Sequence, residues 1–168
     1  MLGPGYNGLM LLLLACIEPQ SSLPADIPDT VDTGETAELV EHCGTIVADE
    51  TWAAGRKHRV TCDIEVERGI LTIGAGAEVQ FEELTGLKVG KSEYEAGLIV
   101  DGSTGGVTLS AASESGWEGI DIGAFATTVN LAGLTIRDGA GGLSVSGATV
   151  VVAGLGIDGA AASGLSFE

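Results

Sequence analysis

Gly119-Ile120-Asp121-Ile122, Gly142-Leu143-Ser144-Val145 and Gly164-Leu165-Ser166-Phe167 are three copies of one unit at nearly constant spacing. Between them, Val129-Asn130-Leu131 recurs as Val150-Val151-Val152. Ala132-Gly133-Leu134-Thr135-Ile136-Arg137-Asp138-Gly139-Ala140 recurs as Ala153-Gly154-Leu155-Gly156-Ile157-Asp158-Gly159-Ala160, with one residue deleted. Each period of about 22 residues therefore holds three short strands and three corners. A leucine-rich repeat has a similar period but only one strand and a longer return. Three strands per period predict a solenoid of triangular coils, each strand pairing in parallel with its equivalent in the next coil.

The same pattern extends upstream. Ile64/Val66, Leu71/Ile73, Val79/Phe81, Leu87/Val89, Leu98/Val100 and Val107/Leu109 are apolar pairs at i and i+2, separated by Gly-rich or polar corners. Each pair puts two side chains on one face of a very short strand. No stretch sustains a 3.6-residue period long enough for a sizeable helix, so the fold class is all-β. Composition agrees: 45% of the chain is apolar, yet it has only seven aromatics and 27 glycines. Aliphatic stacks need few aromatics. Glycines at 119, 142 and 164 are expected where the chain turns corners that a Cβ would crowd.

Residues 44–168 resemble the right-handed parallel β-helix superfamily, and in particular the β-helix repeat lipoproteins of bacterial envelopes. The resemblance rests on Leu71-Thr72-Ile73-Gly74-Ala75-Gly76-Ala77-Glu78-Val79-Gln80-Phe81 and on Trp117-Glu118-Gly119-Ile120. It implies a single-stranded right-handed β-helix over residues 43–168. It implies little about activity, because this fold hosts lyases, hydrolases, adhesins and inert scaffolds alike. The chain stops one residue past a strand with no polar cap, which is read as truncation of a longer β-helix or as an end that stacks on another chain.

The other end carries an address. Leu9-Met10-Leu11-Leu12-Leu13-Leu14-Ala15 is too short to span a bilayer but has the length of a signal-peptide apolar region. Leu13-Leu14-Ala15-Cys16 resembles the lipobox of bacterial lipoproteins, in which the cysteine is lipidated and becomes the first residue after cleavage. The absence of Lys or Arg from Met1 to Gly8 departs from that pattern. Residues 1–15 are thus read as a signal peptide and 16–42 as the anchor cysteine and its linker. The linker holds Glu18, Asp26, Asp29, Asp32, Glu35, Glu38 and Glu41, no Lys or Arg, and three of the four prolines. It lacks a strand or helix period, so it reads as an extended tether. Its acids do not have the spacing of a calcium loop.

Net charge is −17, from 24 acidic and 7 basic residues, which argues against a nucleic-acid partner. Cys43 and Cys62 are expected to form a disulfide in an exported protein. A zinc site using His42, Cys43, His58 and Cys62 has the right chemistry but lacks the usual closely spaced cysteine pair. No metal or cofactor is assigned. Asp121, Arg137, Asp138 and Asp158 form the candidate ligand face, against the plainer reading that the Asp-Gly pairs at 101, 138 and 158 are corner chemistry with glycine at positive φ. Trp52 and Trp117 either stack on a sugar or cover the core. There is no Gly-x-Ser-x-Gly elbow, and Gly102-Ser103-Thr104-Gly105-Gly106 lacks the Lys and helix of a phosphate loop. The expectation is an outer-membrane or surface lipoprotein with a structural or adhesive module that contacts glycans or envelope proteins, without catalytic residues. The alternative is a polysaccharide lyase-like β-helix enzyme, or a fragment of one.

Overall fold

A computed structural model describes residues 38–162 and 164–168, all within the compact unit Glu35–Glu168. The expected signal peptide, Cys16 and nearly all of the acidic linker lie outside the described residues. In chain order the strands are β1 (Val40–Ile46), β2 (Glu50–Trp52), β3 (Lys57–Val66), β4 (Gly69–Ile73), β5 (Glu78–Phe81), β6 (Gly86–Val89), β7 (Ala96–Asp101), β8 (Val107–Ala111), β9 (Gly119–Ile122), β10 (Ala126–Arg137), β11 (Leu143–Val145), β12 (Val151–Asp158) and β13 (Leu165–Phe167). Every pairing between them is parallel, and together they form one sheet. Among the described residues no helix is long and apolar enough to cross a membrane.

The pairings fall into three ladders. The first joins β2, β4, β7 and the opening halves of β10 and β12. The second runs through β1, β3, β5, β8 and the closing halves of β10 and β12. The third takes the ends of β1 and β3, then β6, β9, β11 and β13. Long strands such as β10 serve two ladders by bending at one residue, Gly133 at φ 58°. Glycine holds that left-handed conformation without a Cβ clash.

In-register residues build the core. Trp52, Ile73, Val100, Leu131 and Val152 make one column of the first ladder. His58, Val79, Leu109, Ile136 and Ile157 make one in the second. Ile64, Leu87, Ile120, Leu143 and Leu165 make one in the third. The interior members of these columns are buried. Each fully buried aliphatic side chain contributes roughly 1.5–3 kcal/mol of transfer free energy, so the columns are the main stabilising feature.

The register matches the three-copy unit: Ile120 pairs with Leu143, and Leu143 in turn with Leu165. It also adds two details. The strand structure starts at Val40, inside the expected linker, because Val40 pairs with His58 and continues its column. Arg137, not Asp138, stands beside Asp158, so the deleted residue falls after the strand rather than within it. At that corner Asp138 itself takes φ 55°, whereas Gly139 does not adopt positive φ. Aspartate tolerates the left-handed region better than most residues, since its short side chain bonds locally.

Candidate functional site

Outward positions alternate with the core columns and line up into rows across the second ladder. One row is Lys57, Glu78, Thr108 and Thr135; the next is Arg59, Gln80, Ser110, Arg137 and Asp158. Strands about 4.8 Å apart space the side chains of a row evenly. Glu78, Gln80, Thr108, Ser110, Arg137 and Asp138 line an open groove of about 360 Å³. At its upstream edge the cations are neutralised: Lys57 lies 3.4 Å from Glu78, and Arg59 lies 2.8 Å from Glu82. Among the described residues, Arg137 makes no ion pair. The groove thus presents hydroxyls, an amide, a guanidinium and carboxylates on a frame fixed by the ladder. Such a set exchanges hydrogen bonds with a hydroxyl-rich ligand.

The four residues expected to share a face divide between two ladders. Arg137, Asp138 and Asp158 gather at the ends of β10 and β12. Asp121 lies on β9 in the third ladder, where its carboxylate is 2.7 Å from Lys91 Nζ. Its row there is Glu65, Lys88, Asp121, Ser144 and Ser166. Lys88 donates to Asp63 at 2.6 Å and lies 3.4 Å from Glu118. The hydrogen bond to Asp63 is the first cause that holds the Lys88 ammonium above its ordinary pKa. These charges are satisfied locally, and Lys88, Glu118, Asp121 and Ser144 line a second groove of about 330 Å³.

Both tryptophans are 1% exposed. Trp117 stacks on Phe81 with ring centroids 4.1 Å apart and donates to the Arg137 carbonyl at 2.8 Å. Trp52 donates to Glu50 at 2.7 Å. They cover the core and offer no ring to a sugar. Exposed rings are instead Phe167 on β13 and, at the corners that lead into β7 and β10, Tyr94 and Phe125, with the Arg68 guanidinium 4.1 Å above the Tyr94 ring.

Between β1 and β3, Cys43 and Cys62 are joined by a disulfide, so their sulfurs are not available to a metal. Among the described residues no group of three His, Cys, Asp or Glu side chains is placed to hold one. His42 and His58, weighed above as ligands, bond to each other, with Nε2 of His42 2.9 Å from Nδ1 of His58. Sequence reasoning set this pair together only as zinc ligands, and it missed a second set, Gln80, Thr108 and Ser110. The second set carried a signal, as the polar middle or flank of each apolar i, i+2 pair. Comparison with family models, curated proteins and solved structures finds no match to this chain.

Proposed function

We propose that the chain is a lipid-anchored protein of a bacterial envelope whose second unit is a right-handed parallel β-helix serving as a structural or adhesive module. The observation that carries this reading is the division of labour along each strand. Apolar columns make a rigid interior, while outward rows present aligned hydroxyl, amide and charged groups such as Gln80, Thr108, Ser110 and Arg137. A surface of that kind binds extended, hydroxyl-rich polymers by repetition of weak contacts. The net charge of −17 disfavours polyanions, so neutral glycans and envelope proteins are the partners proposed. The lipobox-like Leu13-Leu14-Ala15-Cys16 supports the anchor.

The anchor is tested by the mass of the membrane-extracted protein. A chain beginning at Cys16 with a diacylglycerol and an acyl increment is the expected result, and Cys16→Ser leaves the chain unlipidated. An intact Met1 with an unmodified Cys16 overturns it. Adhesion is tested by binding to a panel of neutral polysaccharides, with S110A and R137A as probes of the groove.

The second reading is an enzyme of the polysaccharide lyase type, favoured by the one observation that Arg137, Asp138 and Asp158 share a strand end. Calcium-dependent cleavage of a uronate polymer that is abolished by Arg137→Ala would select it over binding alone.

A further inference from the structure

Three inward positions at the opening of the core are polar where their later register partners are apolar. Glu50 stands in the column of Leu71 and Leu98, His58 in that of Val79 and Leu109, and His42 in that of Val60 and Phe81. These side chains form one layer. His42 stacks on Trp52 with centroids 4.2 Å apart, and His58 lies over the same ring system at 5.7 Å. His58 is 2% exposed.

Their hydrogen bonds define a proton count. The Ala53 carbonyl, 3.2 Å from His58 Nε2, can only accept, so that nitrogen carries a hydrogen. Between His42 Nε2 and His58 Nδ1, at 2.9 Å, one nitrogen must donate and the other accept. A neutral pair meets this condition. A pair with one extra proton meets it too, for then either Nδ1 of His42 faces Glu50 Oε1 at 3.5 Å as a donor, or His58 donates to His42. With two extra protons both facing nitrogens carry hydrogen, and two like charges sit in a layer walled by Trp52. Glu50 is the charged group facing the pair. Around it, Arg56 is engaged with Glu38, Lys57 with Glu78 and Arg59 with Glu82, while Glu41 is exposed.

We propose that the histidine pair is an acid-released latch: it holds the segment Val40–His42 on β3 with zero or one added proton and lets go on taking up the second. The disulfide at Cys43 limits the opening. It lies at the register break between His42 and Gly44, so the stretch before it can detach while Gly44–Ile46 stays paired with Ile64–Val66. Burial, then the neighbouring His58, hold the His42 imidazole below its ordinary pKa, with Glu50 opposing. The direction fits a His42 imidazole that resists a proton beside His58.

The test uses the full wild-type chain with ¹⁵N-labelled histidine, titrated from neutral pH downward while amide exchange is followed. The amides of Val40–His42 are expected to lose protection through the lower of the two histidine steps, by about tenfold per pH unit, the slope of a single linked proton. Amides of Leu143–Val145 serve as the reference. Protection that persists below the lower step, or that is lost at the upper one, overturns the proposal. In His42→Phe, which keeps a ring on Trp52 but cannot titrate, the acid transition is expected to vanish. A transition retained there would equally refute the latch.

Discussion

Leu84 is the plainest strained residue. It takes φ 60° at 75% exposure, in the turn where the Thr85 hydroxyl donates to the Glu82 carbonyl at 2.8 Å. A left-handed conformation costs an L-residue with a Cβ roughly 1–2 kcal/mol, and exposed Leu84 has little packing to offset it. Leu84→Asn is therefore expected to stabilise the chain by about 1 kcal/mol, raising Tm by about 3 °C in a thermal melt. The glycine row behaves differently from what spacing alone suggests. Gly142, at φ 59°, has no room for a Cβ against the Gly164 carbonyl, so Gly142→Ala is expected to cost more than about 2 kcal/mol in a urea titration. Gly164 has an ordinary φ, and a Cβ there would meet an Ile157 methyl at 3.1 Å, which can give way. Gly164→Ala should cost less than about 1 kcal/mol in the same titration. The sequence displays both glycines as equivalent members of a repeat. Which one is irreplaceable depends on how closely the next strand's backbone approaches, and no local pattern encodes that.

Strands were legible where their spacing was regular. The last three members of the third ladder follow Gly119, Gly142 and Gly164 at almost even intervals, so their register could be read from identity alone. Gly86-Leu87-Lys88-Val89 belongs to the same ladder, but its partner Gly119–Ile122 lies well beyond one repeat downstream. A longer excursion between β6 and β9 hides that equivalence, although the apolar pair Leu87/Val89 is visible. The site suffered for a related reason: Asp121 and Arg137 are close in sequence, yet a corner and a change of ladder part them. Likewise His42 meets His58 only because β1 pairs with β3 at an offset shorter than the repeat. Beside that pair the disulfide joins cysteines 19 apart in sequence and ties β1 to β3 at its register break. Chain-entropy arguments give such a crosslink about 3 kcal/mol, acting on the unfolded chain. Cys43→Ser with Cys62→Ser is expected to lower the urea midpoint accordingly. The loss should be seen at Trp52, which stacks on His42 beside the bond, before it is seen at Trp117. A single transition shared by both tryptophans would show that the opening strands have no separate stability.

Across the whole unit the two ends of the core are unlike. The opening layer seals the apolar columns with His42, His58, Glu50 and a buried Trp52. The closing layer leaves apolar side chains facing water: Leu165 is 46% and Phe167 64% exposed, with Val151 and Val152 also exposed. On β11 the register partners of Leu165 and Phe167, Leu143 and Val145, are buried, so these are core positions that no described residue covers. Among the described residues β13 pairs with β11 alone, and its other edge is a template for further pairing. Opposing this is the net charge of −17, which makes copies of the chain repel one another. The two terms respond oppositely to salt. Screening shortens the range of repulsion from about 30 Å at 10 mM to about 3 Å at 1 M, while apolar burial is not weakened by it. The chain is therefore expected to sediment as a monomer at 10 mM salt and to self-associate at 1 M. Leu165→Ser with Phe167→Ser should stay monomeric at both. Association that survives this double substitution would assign it to another surface, whereas a monomer at high salt in the parent chain would mean that the closing layer exposes too little apolar area to hold two copies together.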